Sequence, residues 1–138
     1  MSPPKSPLAV AVEQVGDRWS LLLVHALLDG PKRFRELESL VEGISPNILS
    51  QRLRHLEAAG ILLSTPYCRR PPRFAYELTV AGRELGDALR MLAQWGADRS
   101  RGDQAVRHRL CGTPVEVRWW CPTCERTIEG EASDLHHL

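Results

Sequence analysis

The sequence predicts an α+β fold, mainly helical, with β structure confined to one hairpin and a short C-terminal piece. Three observations carry this. Apolar residues recur at helical spacing through most of residues 7–99. That pattern gives way once, over residues 61–78, to short β-permissive runs around a Cys-Arg-Arg-Pro-Pro turn. After residue 107, one histidine and three cysteines stand at metal-ligand spacing in a stretch with few apolar groups.

With 138 residues the chain holds one domain and a small appendage, and 43% apolar content suffices for a compact core. The formal net charge is only +1, but its distribution is uneven. Residues 32–76 carry eight basic side chains (Lys32, Arg33, Arg35, Arg52, Arg54, Arg69, Arg70 and Arg73) against four acidic ones, a local excess of four. Phosphate contact needs such a local face, not a basic chain as a whole. The longest apolar run, residues 21–28, is interrupted by His25 and is too short for a membrane span. No apolar stretch followed by a cleavage site opens the chain. These features predict a cytoplasmic protein, whose four cysteines serve as thiols or metal ligands in preference to disulfides.

Residues 1–6 read as a Pro- and Ser-rich flexible arm. A short helix follows over residues 7–14, with Leu8, Ala11, Val12 and Val15 on one side. Gly16 and Asp17 break it, and Asp17 caps a second helix over residues 18–28. That helix is apolar nearly all round, which places it centrally and makes His25 a core histidine. Asp29-Gly30-Pro31 stops it. Residues 34–42 form a third helix, with Phe34, Leu37, Leu40 and Val41 inward, and Gly43-Ile44 is a tight connection.

Residues 45–59 form the helix around which the chain is organised. Ser45 is its N-cap, Pro46 its first helical residue and Gly60 its stop. Leu49, Leu53 and Leu56 make an apolar stripe. The opposite face carries Asn47, Ser50, Gln51, Arg54 and Ala58, with no carboxylate. Asn, Gln and Arg can bond bidentately to base edges, and Ser can reach a base or a phosphate. Two short helices joined by a Gly-containing turn, the second presenting amides, predict a helix-turn-helix with residues 45–59 in the major groove.

Residues 61–67 and 73–78 then form a hairpin, with Phe74, Tyr76 and Leu78 on one face. Arg69, Arg70 and Arg73 crowd its tip, so residues 67–74 predict a basic two-stranded wing on the backbone or minor groove. Thr79 caps a long helix over residues 80–99, whose stripe of Leu85, Ala88, Leu89, Leu92 and Trp95 or Gly96 needs a partner. That partner is the first helix or a second chain, which predicts a homodimer formed by the flanking helices.

The combination of D-R-W-S (17–20), L-x-x-G-P-x-R-F-x-E-L (27–37), G-I-S-P-x-x-L-x-x-R-L-R-x-L-E-x-x-G (43–60) and Y-x-L-T-x-x-G (76–82) resembles the HxlR-type winged helix-turn-helix regulators, which are MarR-like. The resemblance covers about two-thirds of the chain. It implies a dimeric transcription factor that binds an operator in double-stranded DNA. Many members carry a cysteine next to a proline before the first helix, used for thiol sensing in some. Here that place is Ser6-Pro7, so this property does not carry over, and the sequence names no effector.

Residues 99–107 read as a linker between a DNA-binding domain, 1–98, and an extension, 108–138. His108, Cys111, Cys121 and Cys124 give H-x2-C-x9-C-x2-C, with a strand expected over 115–120, and predict a zinc-ribbon-like extension with tetrahedral thiolate and imidazole ligation. His136 and His137 are alternatives for the fourth ligand. Trp119 and Trp120 are expected to pack the ribbon onto the long helix. The C-x-x-C also suits a redox dithiol, but the βαβ context of such dithiols is absent. No nucleophile–base constellation and no phosphate loop is present, so no enzyme is predicted. The competing reading is a winged-helix module that docks a partner protein through the ribbon.

Overall fold

The computed structural model describes residues 3–100, 106–129 and 135. It divides into two compact units, Met1–Leu89 and Arg90–Leu138. The first unit contains α1 (Pro7–Val15), α2 (Arg18–Leu27), β1 (Lys32–Arg33), α3 (Phe34–Leu40), α4 (Pro46–Ala58), β2 (Leu62–Arg69), β3 (Pro72–Leu78) and α5 (Val80–Glu84). A further helix, α6 (Gly86–Ala97), runs across the division.

Each helix of the first unit starts where a local acceptor satisfies its free N–H groups. The Ser6 hydroxyl accepts from the Ala9 N–H at 3.2 Å, and Pro7 follows at the first position of α1. Asp17 accepts from the N–H groups of both Trp19 and Ser20 at 3.0 Å and starts α2. At α3 the Arg33 N–H donates to the Glu36 carboxylate at 2.6 Å. Thr79 accepts from the Gly82 N–H at 3.2 Å to start α5.

The core lies where α2, α3 and α4 meet the base of the sheet. Leu23, Val24 and Leu27 of α2 face Leu37 of α3, the leucines of α4, and Ile61, Leu62 and Leu78. Buried positions on α2 are Ser20, Leu23, Val24 and Leu27, the i, i+3, i+4, i+7 stripe of a helix with one covered face. His25 lies off that stripe and is exposed, and Leu22 is 44% exposed. The expectation of a core histidine in a helix buried all round is therefore corrected. Leu40, expected inward, is exposed as well; α3 ends there, and Val41 and Ile44 beyond it turn back into the core.

The sheet has three antiparallel strands in the order β1-β3-β2. The third strand was not legible in the sequence. Two residues have no period to read, yet Lys32 pairs with Tyr76 and Arg33 with Ala75. The hairpin strands run further than expected, with Arg69 opposite Pro72, and only Arg70-Pro71, joined by a cis peptide, remains as the turn. Pro72 is tolerated as the first residue of its strand. Along β3 burial falls from Leu78 through Tyr76 to an exposed Phe74, so the hairpin projects away from the core.

The single helix expected over residues 80–99 is two, broken at Leu85. Gly82 lies tight under the sheet: a Cβ there would sit 2.1 Å from the Ile61 carbonyl oxygen. Gly86 follows the break, and both glycines weaken helix propensity where the chain must turn.

In the second unit, β4 (Trp119–Cys121) pairs antiparallel with β5 (Arg126–Ile128), and a separate bridge joins Arg107 to Pro114. The strand expected over 115–120 is thus confined to its end. Trp119 and Trp120 are each more than half exposed. Within the expected linker, residues 101–105 lie outside the described residues, as do 130–134 and 136–138 of the extension, including His136 and His137. No helix among the described residues is long and apolar enough to cross a membrane.

Candidate nucleic-acid interface

The helix α4 is built as the sequence indicates. The Ser45 hydroxyl accepts from the Ile48 N–H at 3.3 Å, and Pro46 takes the first position. Leu49, Leu53 and Leu56 are buried to 2% exposure or less and fix which face looks outward. On that outer face Asn47, Gln51 and Arg54 are exposed and Ser50 is half-buried. The Arg54 Nε donates to the Ser50 carbonyl at 3.3 Å, which orients the guanidinium and leaves its terminal nitrogens for an outside acceptor. Ser45 has its oxygen engaged as the cap, so its remaining capacity is to donate, as a phosphate would require.

Three polar contacts tie α4 to the rest of the unit, and the sequence did not disclose them as a group. Arg52 faces Asp17, the cap of α2, with 3.4 Å between Nη1 and Oδ2. The His55 Nε2 donates to the Gln14 carbonyl at the end of α1, 2.8 Å away. Glu57 accepts from both the N–H and the hydroxyl of Ser64 on β2, at 3.2 and 2.7 Å. Partial burial pushes the Asp17 carboxyl up, but Ser20, the Arg52 charge and the Trp19 N–H more than offset it and hold it below its ordinary value. Arg52 therefore belongs to the scaffold. Its charge, part of the local basic excess in the sequence, is matched by an aspartate outside that span.

The hairpin carries Arg69, Arg70 and Arg73, all exposed, at its outer end, where Arg69 lies opposite Pro72 and Cys68 opposite Arg73. The register shifts between Pro66 and Cys68, where Pro66 has no N–H to offer. Arg33, at the end of β1, lies over the Tyr67 ring with its guanidinium carbon 4.4 Å from the centroid. It adds a fourth arginine beside the hairpin, which pattern alone did not place. Burial and then the nearby Glu57 charge raise Tyr76 above its ordinary value.

The four residues singled out as metal ligands fall into two pairs. His108 Nδ1 lies 3.2 Å from Cys111 Sγ, and Cys121 and Cys124 flank the Pro122-Thr123 turn as free thiols. The structure brings no three His, Cys, Asp or Glu side chains together around one point among the described residues. Bonds from the Thr113 hydroxyl and N–H, then from His108, lower the Cys111 thiol to about 7. The Cys124 and Thr123 N–H groups lower Cys121. Cys68 is half-buried on β2, 3.7 Å from the Arg70 carbonyl.

The sequence pattern of the family described as "HxlR-like helix-turn-helix" matches residues 14–104. An uncharacterized HTH-type transcriptional regulator of Mycobacterium tuberculosis is 38% identical over 122 residues, spanning 86% of this chain and 77% of that protein. The Bacillus subtilis regulator YtcD is 39% identical over 87 residues, 63% of this chain and 69% of its own. Among solved structures, the redox regulator HypR in its reduced form aligns at a TM-score of 0.64 and 33% identity, covering 68% of this chain and 93% of its own. The putative transcription factor PA1607 aligns at a TM-score of 0.77 and 30% identity, covering 94% of this chain and 92% of its own.

Proposed function

The chain belongs to the HxlR-like helix-turn-helix family, a family of DNA-binding transcriptional regulators, and from that premise we infer how it acts: as a cytoplasmic homodimer that reads an operator with α4 and grips the backbone with its wing. It is a regulator and not an enzyme. The observation that carries the reading is the outer face of α4. Asn47, Gln51 and Arg54 stand exposed on a helix whose other face is locked by three buried leucines. A rigid helix with amides and a guanidinium outward suits direct readout in the major groove. Arg69, Arg70 and Arg73 would supply phosphate contacts, or reach the adjacent minor groove.

The dimer rests on two apolar surfaces. On α1, Leu8 and Val12 are 73% and 55% exposed, one turn apart. On α6, Leu92 and Trp95 are 50% and 57% exposed. Faces of this kind are costly in water and suit an isologous contact, and paired reading heads match palindromic half-sites. The docking-module alternative is not favoured. No large apolar side chain of α4 is exposed, as a protein-binding version of this face would require.

The test is binding of the purified protein to its own upstream DNA against a scrambled fragment, at two salt concentrations. A preference of at least about a thousandfold supports operator recognition. Weak, steeply salt-dependent binding to both fragments would overturn sequence-specific binding at that locus.

A further inference from the structure

We propose that the groove between the wing and the start of α3 seats one sugar–phosphate strand of the bound DNA, with Arg33 and Arg35 joining Arg73 as phosphate contacts and Tyr67 positioning Arg33. The inference rests on the DNA-binding reading above and adds a contact surface to α4 and the wing tip.

The groove begins at an irregularity in the hairpin. Strands β2 and β3 pair residue by residue from Leu62 opposite Leu78 to Pro66 opposite Phe74, and next Cys68 stands opposite Arg73. Tyr67 is thus an extra residue, set into β2 with no residue across from it. A bulge of this kind re-aims the inserted side chain. Arg33 reaches the Tyr67 ring because β1 pairs with β3, which sets Arg33 opposite Ala75. A guanidinium stacked on a ring uses its face and keeps the N–H groups of its edge, and those are the groups that bond a phosphate in pairs.

The groove has a volume of about 520 Å³, and Arg33, Arg35, Tyr67, Arg73 and Phe74 are among its lining residues. All three arginines are exposed, and none is in an ion pair among the described residues. The one carboxylate in the lining, Glu36, is turned to the Arg33 N–H at 2.6 Å. Three cations against one engaged carboxylate leave the groove positive, the sign that a phosphate strand requires.

Apolar surface lies between the cations. Phe74 and Tyr67 are 40% and 44% exposed, although both are aromatic. Rings interleaved with cations suit a strand in which sugars interleave with phosphates. Arg73 belongs both to the wing's outer end and to the groove, so this surface continues the wing's basic tip toward α3. Charge and continuity together select DNA backbone as the occupant.

The experiment titrates the full chain against its own upstream DNA and against a scrambled duplex over a range of salt. Arg35→Ala should flatten the log–log salt dependence by about one unit, and Arg33→Ala with Arg35→Ala by about two, on both duplexes. Arg35→Lys keeps the charge and should keep the slope. Arg18→Ala removes a cation that lies over Trp19, outside this groove, and should leave the slope unchanged. Tyr67→Ala should weaken binding roughly two- to fivefold, the worth of an exposed cation–π pair, and Tyr67→Phe should restore it, a rescue that loss of folding does not give. In hydroxyl-radical footprints, the double arginine variant should expose sugars that the parent protects. A slope unchanged in the double variant, or flattened equally by Arg18→Ala, would overturn the groove as a backbone seat. Equal losses in Tyr67→Ala and Tyr67→Phe would overturn the positioning role. Because the slope is also read on scrambled DNA, the groove is tested even where operator preference fails; a parent that binds neither duplex would remove the DNA reading and this inference with it.

Discussion

Arg52 and Arg54 are two residues apart on one helix and have opposite fates. Arg52 is half-buried against Asp17, while Arg54 points outward with its terminal nitrogens open. Arg54→Ala is expected to weaken binding to the operator by roughly 1–3 kcal/mol more than binding to random DNA, read from paired titrations. Equal losses on both would mean that Arg54 touches only phosphate. Asp17 acts at the same scale through the folded state. Its carboxyl lies below its ordinary value of 3.8, so its stabilisation is present above that value and is lost as pH falls through the lower, folded one. Asp17→Asn should therefore unfold at lower urea than the parent at neutral pH, and the gap should narrow as acid protonates the parent carboxylate. A gap that stays constant down to about pH 3 would assign the effect to the cap geometry, with no part for charge.

At the scale of elements, the wing is a lever whose base is fixed and whose tip is free. Leu62 and Leu78 anchor it in the core, β1 adds a third strand at its root, and the arginines stand at the far end. Combining Arg69→Ala with Arg70→Ala should flatten the log–log salt dependence of DNA binding by about two units, one for each phosphate no longer neutralised. An unchanged slope would remove the wing from the interface. The helix it accompanies is held by Asp17, Gln14 and Ser64 as well as by its leucines. Side chains that read bases need this rigidity, since displacement of the helix misaligns every bidentate bond at once.

For the whole molecule, the outstanding quantity is the oligomer. Exposed Leu8 and Val12 on α1, and Leu92 and Trp95 on α6, are expected to be covered in solution. Sedimentation should give twice the chain mass, and Leu8→Glu with Leu92→Glu should give monomers with an intact far-ultraviolet spectrum. Those monomers should also bind the operator far more weakly, because each contributes one reading head. A parent protein that sediments as a monomer would remove the dimer.

The sequence by itself determined what depends on local rules. Caps at Ser45, Asp17 and Thr79, the stripe of Leu49, Leu53 and Leu56, and the single switch from helical spacing to alternation were sufficient for the winged helix-turn-helix and for the outward face of α4. They act within one or two turns of chain, where periodicity and capping are legible. Tertiary structure decided the rest. His25 is exposed because the core takes one stripe of α2, whereas composition showed only that the helix is apolar. β1 exists because β3 passes beside Lys32 and Arg33, forty-odd residues away in sequence. The 80–99 stretch is two helices, the first with Gly82 set tightly against Ile61, and Arg52 is scaffold because Asp17 meets it across 35 residues. Each is a pairing between distant segments. Such pairings leave no periodic trace in the sequence, because the physical partner is absent from the local window.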